Sequence, residues 1–178
     1  KTIKSILATV MILATVSLFA QEMKVDTKNS TIKWHGEKVT GEHFGTINIK
    51  EGNVVWKNNK ITGGEMVIDM ASIVNTDMED DGYRAKLEGH LKSDDFFGVE
   101  NYPTAKLEIK SSSAFKNNKA TVKAHLTIKE TTLPIEFDVQ KEGNWFMADI
   151  VIDRSKYDVR YGSGSFFDNL GDKTIYDD

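Results

Sequence analysis

The chain has 178 residues, a formal net charge of −4 and no cysteine. That length suits one domain with a sizeable core. An acidic balance without a basic run argues against nucleic acid, where phosphate contacts dominate affinity. Without cysteine there is neither a disulfide framework nor a thiol-linked lipid anchor, so the core must supply the stability.

Lys1 and Lys4 precede an uncharged apolar stretch over residues 6–19, and the small Ala20 stands before the polar Gln21-Glu22. This layout predicts a secretory signal peptide over 1–20, too short for a comfortable membrane span. Residues 21–178 are then expected to form a single exported domain with no integral membrane span.

Past residue 25 the apolar period is two, the period of a half-buried strand. Met66, Ile68 and Met70 alternate with other residues, as do Ala105, Leu107 and Ile109. Residues 119–129 give the clearest case: Ala120, Val122, Ala124, Leu126 and Ile128 oppose a polar set that includes Lys123 and His125. Leu133, Ile135, Phe137 and Val139 repeat the pattern, and so do Phe146, Ala148, Ile150 and Ile152. Asn58-Asn59, Asn117-Asn118 and Glu142-Gly143-Asn144 separate these runs as hairpin turns would. A meander of short strands predicts a mainly β fold, and closure into an antiparallel barrel would remove its exposed edges. One segment departs from the period. Between Asn75 and Leu91 the residues Met78, Leu87 and Leu91 have helical spacing, and Thr76-Asp77-Met78-Glu79 has the form of a capping box. A short helical insertion is expected over about residues 76–97.

These pieces carry a resemblance. His90-Leu91-Lys92-Ser93-Asp94-Asp95-Phe96-Phe97, followed by Tyr102-Pro103-Thr104-Ala105, resembles the YceI-like family. Trp34-His35-Gly36 and Gly41-Glu42-His43-Phe44-Gly45-Thr46 resemble its first hairpin, and residues 63–73 the strand before its helix. Leu126-Thr127-Ile128-Lys129 and Ile152-Asp153-Arg154-Ser155-Lys156-Tyr157 match later motifs. The resemblance implies an exported, lipocalin-like eight-stranded antiparallel β-barrel that binds a polyisoprenoid, quinone or polyprenyl lipid in an elongated interior. Two departures stand out. Glu130 follows Lys129 where the family carries Gly, and the family's final strand runs several residues beyond the Gly171-Asp172-Lys173 position. The second bears on how the barrel seam closes.

A lipid carrier needs inward apolar side chains that do not fill the barrel, which Ala105, Ala120, Ala124 and Ala148 among larger residues could provide. Met66, Met70 and Met147 add an adaptable surface. The candidate ligand-binding residues are Trp34, His43, Phe44, Met66, Ile68, Met70, His90, Phe96, Phe97, Leu107, Leu126, Phe137, Phe146, Ala148, Ile150 and Arg154. Arg154 shares the parity of Phe146 and Ile152, so it points inward and needs an acid such as Asp69 or Asp153, or a ligand headgroup. His43 and His90 are candidates for the mouth, with a structural hydrogen-bonding role as the stronger alternative for each.

Other readings compete. Asp77-x-Glu79-x-Asp81-Gly82, with Glu88 further on, approaches a calcium loop, but a strand pattern precedes it and a capped helix start explains the same acids. No nucleophile elbow, HExxH or phosphate loop is present, so no enzyme, metal centre or cofactor is expected. Gly162-Ser163-Gly164-Ser165 reads as a loop. The alternative to lipid carriage is a non-catalytic interaction or stress-related scaffold with a filled barrel, presenting Phe166 and Phe167 in the 161–169 loop. A homodimer through outer strand faces is also open to this fold.

Overall fold

The computed structural model describes residues 20–178, so the signal peptide expected over 1–20 lies almost wholly outside the described residues. Eight strands form one antiparallel sheet: β1 (Gln21–Lys24), β2 (Ile32–Lys38), β3 (Gly41–Lys57), β4 (Lys60–Asn75), β5 (Thr104–Ser112), β6 (Lys119–Ile128), β7 (Thr131–Glu142) and β8 (Trp145–Met147). One helix, α1 (Asp81–Lys92), interrupts the meander between β4 and β5. The mainly β class, the strand number and the single helical insertion are as the sequence predicts. No helix among the described residues is long and apolar enough to cross a membrane.

The long β3 is the spine. Its first half pairs with β2 and its second half with β1 on the same edge, while β4 runs along the other. Register shifts after Thr46, Ile49 and Val55 interrupt the β3–β4 ladder. Such irregularities bend a strand and increase its twist, and they curl the sheet. Asn58 and Asn59, and again Asn117 and Asn118, all have positive φ between 49° and 64°. Two consecutive left-handed residues make the turn that matches strand twist in a tight hairpin, which is why asparagine pairs stand there.

Gly45 is needed for close approach: a Cβ there would meet the Val74 carbonyl and the indole of Trp34. Trp34 lies opposite Gly45, and its indole N–H donates to the Val74 carbonyl at 3.0 Å. The indole thus fills the gap that the glycine leaves.

The helix starts later than its sequence suggests. Asp80 is the N-cap, and its carboxylate accepts the Tyr83 N–H at 2.8 Å. Thr76 instead extends the β3–β4 pairing, its N–H donating to the Phe44 carbonyl at 3.0 Å.

The second difference lies past β8. The alternation of Phe146, Ala148, Ile150 and Ile152 predicts a strand, but the ladder stops at Met147. Asp153 then caps a 3-10 turn, Arg154–Tyr157, by accepting the Ser155 N–H and hydroxyl. Among the described residues no ladder joins β8 to β1 or β2, so the curled sheet is a half-barrel. Part of the gap is bridged by residues 174–176. The Val39 N–H donates to the Thr174 carbonyl, the Tyr176 N–H to the Glu37 carbonyl and the Ile175 N–H to the Gly162 carbonyl.

The core has two centres. One gathers Val54, Leu107, Ile109, Phe115, Val122, Ala124, Leu126 and Tyr157. The other joins Ile47, Met70, Ile73, Val159 and the helix-side residues Leu91, Phe96 and Val99. Ile128 touches both.

Candidate functional site

Register defines the concave wall. Met66, Leu107, Leu126 and Leu133 lie in one row across β4, β5, β6 and β7, and Gly64, Ile109, Ala124 and Ile135 form the next. Phe137 stands opposite Val122 and Val139 opposite Ala120. Since side chains alternate across a strand, each row faces one side of the sheet.

Along these rows burial changes abruptly. Val122 is 0 % exposed, Ala124 2 % and Leu126 4 %. Their partners Phe137, Ile135 and Leu133 are only half-buried. Phe115, Tyr157 and Val139 of β7 belong to the buried cluster, whereas Leu133, Ile135 and Phe137 pack at its margin. Ala105, Ala120 and Ala124, expected to leave room for a ligand, are therefore enclosed in packed core. Leu133, Ile135 and Phe137 form a partly exposed apolar row on β7, and Met23, Met66, Phe146 and Ile152 are likewise half-buried against the same core centre.

Each core centre carries an aromatic cluster. At one, Trp56, Phe115 and Phe146 have ring centroids 5.1–6.2 Å apart, and the Lys141 ammonium sits 5.7 Å from the Trp56 ring. At the other, His90 lies 5.6 Å from Phe96 and 4.4 Å from Tyr161, and Phe97 packs against Phe96 at 5.1 Å. The Nε2 atom of His90 is buried and makes no hydrogen bond within the protein.

Arg154 does not stand free. It donates to the carbonyls of Tyr176, Val159, Tyr161 and Ile175 at 2.8–3.1 Å and lies 3.4 Å from Asp177. Its carboxylate partner is neither Asp69 nor the adjacent Asp153, because the 3-10 turn carries the guanidinium towards the C-terminal segment. Burial pulls its pKa down from the ordinary arginine value, against the opposing pull of Asp177 and Asp153. Arg154 is thus a clasp for residues 174–177.

His43 belongs to a joint between β3, β4 and the helix. Its Nδ1 is 2.9 Å from an Asp77 oxygen, while the other Asp77 oxygen accepts from the Phe44 N–H and from Asn75. Burial pushes the Asp77 carboxyl up, but the hydrogen bonds from His43, Phe44 and Asn75 outweigh it and hold the group below its usual value. Glu88 accepts the Asn75 N–H, Asp81 pairs with Arg84, and Asp80 caps the helix. Three of the four acids that resembled a calcium loop, Asp77, Asp81 and Glu88, thereby hold structural contacts.

Of the candidate residues, Met70, Phe96, Leu107 and Leu126 are buried. Trp34, His43, Met66, Ile68, His90, Phe97, Phe137, Phe146 and Arg154 are half-buried. Three are misplaced by the sequence. Phe44 faces outward, because Gly45, Ile47 and Ile49 hold the inner parity of β3, and Ala148 and Ile150 lie exposed beyond the end of β8. Sequence reasoning missed Tyr157, 2 % exposed, whose position depends on the turn that Asp153 caps. Leu133 and Ile135 were legible as a strand face but not as its uncovered part.

Two clefts lie elsewhere, one of about 220 Å³ among Tyr102, Lys129, Glu130, Lys156, Asp158 and Arg160, the other of about 450 Å³ among Ser113, Lys116, Lys119 and Asp138. The first is walled mainly by charged and polar side chains, and the second also takes in Ala114 and Ala120.

Residues 23–178 match the family model of the YceI-like domain. Among solved structures, Burkholderia cenocepacia BcnA is similar with a TM-score of 0.67 at 23% identity, over 86% of this chain and 92% of that one. A cysteine mutant of the CJ YceI protein, crystallised for nanotechnology applications, gives a TM-score of 0.52 at 16% identity over 95% and 86% of the two chains. At these identities the likeness shows the fold. No curated protein sequence matches the chain significantly.

Proposed function

From the premise that this chain belongs to the YceI-like family, we propose that it is a non-catalytic binding protein for a long-chain amphiphilic lipid of polyisoprenoid, quinone or polyprenyl type. The observation that carries this reading is the half-buried apolar row Leu133, Ile135 and Phe137, facing the concave side beside fully buried register partners. Each methylene removed from water contributes about 0.8 kcal/mol, so a chain laid along this row gains enough to offset the cost of ordering it. Discrimination between chains falls to the ends. The unpartnered His90 Nε2 can hydrogen-bond a carbonyl, hydroxyl or phosphate there, according to its tautomer. Carriage or storage takes place in the periplasm, to which the N-terminal pattern of Lys1, Lys4 and an apolar run directs the chain.

A second reading rests on a different surface. Tyr161, Phe166 and Phe167 are about half exposed in one loop, which suits a scaffold that meets a protein partner. The test is mass spectrometry of an organic extract of the protein, purified without detergent from the periplasmic fraction of its host. A stoichiometric polyisoprenoid supports carriage. A clean extract, with no uptake of quinones or polyprenols in vitro, overturns it and favours the scaffold.

A further inference from the structure

On the outer face of the first hairpin, three side chains able to ligate a metal converge. His35 and Glu37 are two residues apart on β2, hence on the same face, and Glu42 lies directly opposite Glu37 on β3. One ligand atom from each falls within 4.8 Å of the others; His35 Nε2 is 2.8 Å from Glu42 and 3.8 Å from Glu37. Adjacent strands in fixed register set the spacing, and the Tyr176 N–H bonded to the Glu37 carbonyl ties down the end of β2.

An independent observation concerns charge. Two carboxylates directly opposite on paired strands repel. The protein contains a second such pair, Glu65 opposite Glu108, and there each acid has its own lysine: Lys106 at 2.5 Å from Glu65 and Lys110 at 2.5 Å from Glu108. Among the described residues no lysine or arginine pairs with Glu37 or Glu42, whose shared neighbour is the imidazole of His35. The hairpin repeats the like-charge pair with an imidazole, a cation only when protonated, in place of the lysines.

The geometry points to His35, Glu37 and Glu42 as a three-ligand site for a divalent transition-metal ion of the zinc class. One imidazole nitrogen and two carboxylates leave a fourth, tetrahedral position to water, the pattern of an open zinc site. Calcium, which takes six to eight oxygen ligands, and magnesium, which demands octahedral oxygen, suit this set poorly. The exposed position makes binding reversible and leaves the ion open to exchange. The site lies on the outer face of the sheet, opposite the core-facing Leu133, Ile135 and Phe137 row of the proposed function.

Titration of the full chain with Zn²⁺, followed by calorimetry, tests the assignment. One ion per chain is expected to bind saturably, and Co²⁺ in its place gives a visible absorption band of inner-sphere coordination. On adding Zn²⁺, the imidazole resonances of His35 shift and those of His125, on β6, stay. Removing a ligand should weaken binding at least tenfold or so, since loss of even an outer partner of a metal ligand costs about 10–100-fold. His35→Ala and Glu42→Gln are the variants, and both positions are exposed enough for the fold to tolerate them, as circular dichroism will show. His125→Ala should bind as the parent does. Absence of saturable binding at tens of micromolar Zn²⁺, or equal binding by His35→Ala and the parent, overturns the proposal.

Discussion

β6 and β7 are neighbours in register with the same alternating pattern, yet their inner faces have different environments. Val122, Ala124 and Leu126 on β6 are sealed, while Phe137, Ile135 and Leu133 opposite them are half open. Intrinsic strand preference cannot account for this, since both strands read alike. The difference follows their places in the sheet: β6 is paired along both edges by β5 and β7, whereas β8 covers β7 only at Gln140, Lys141 and Glu142, which leaves Leu133, Ile135 and Phe137 on an open edge. Alternation therefore tells which residues face inward, and a strand's place at the centre or the edge of the sheet decides which of those remain available to a ligand.

The sharpest way to break the comparison is to truncate one leucine from each wall. Leu126→Ala removes a fully packed side chain and should cost about 2–5 kcal/mol in chemical denaturation. Leu133→Ala, its partner in the row, already has solvent on one side and should cost about 1 kcal/mol, because little cavity is left behind. Equal losses would mean that the β7 wall is sealed too.

The next effect concerns what closes the half-barrel. Arg154→Ala leaves Asp177 without its cation and several carbonyls without their donor, and should destabilise by about 3 kcal/mol, the scale for breaking a half-buried ion pair. Hydrogen exchange should rise at the amides of Ile175 and Tyr176, which bond to Gly162 and Glu37, and change less along β6. A ligand-headgroup role for Arg154 would instead show as weakened lipid uptake with unchanged stability.

Ile135→Asp sharpens the comparison from the ligand's side. Its charge can reach water from the half-open wall, so the fold should survive with a loss of about 1–2 kcal/mol, within the ordinary range for point mutants. Uptake of a polyprenol should fall at least tenfold, read by co-elution of the lipid with the protein.

The smallest effect is a pH dependence at the His43 joint. The Asp77 carboxyl is held below its ordinary value of 3.8 in the folded protein. The folded state therefore binds fewer protons there than the unfolded one, and this contribution is present above the ordinary value and lost as the pH falls through the folded one. Asp77→Asn should lower stability at neutral pH and flatten the decline below about pH 4, measured by thermal melts across an acid series.

How far the fold was legible follows from the range of the interactions involved. The asparagine-pair turns and the alternation of β4 to β7 are local, and sequence carries them in full. The helix start is local too, but Thr76 and Asp80 both offer caps. The choice went to Asp80 because Thr76 and Asp77 are drawn into contacts with Phe44 and His43 from another strand. The end of β8 could not be read, since Ala148 and Ile150 keep the alternation but have no partner strand beside them. Arg154 reads as a charge that needs a partner, but the partner, Asp177, lies beyond a turn that alternation does not foresee. The His35, Glu37 and Glu42 group was invisible for a related reason: it exists only once the register of β2 on β3 is fixed.

Whether the partly exposed β7 wall receives the lipid chain is decided by NMR on methyl-labelled protein loaded with a short polyprenol, reading contacts between protein methyls and the isoprenoid. Contacts to Leu133 and Ile135, with ring contacts to Phe137 and none to the methyl of the outward-facing Thr121, are the predicted result. A bound chain that touches only Phe166 and Phe167, or no binding at all, would contradict it.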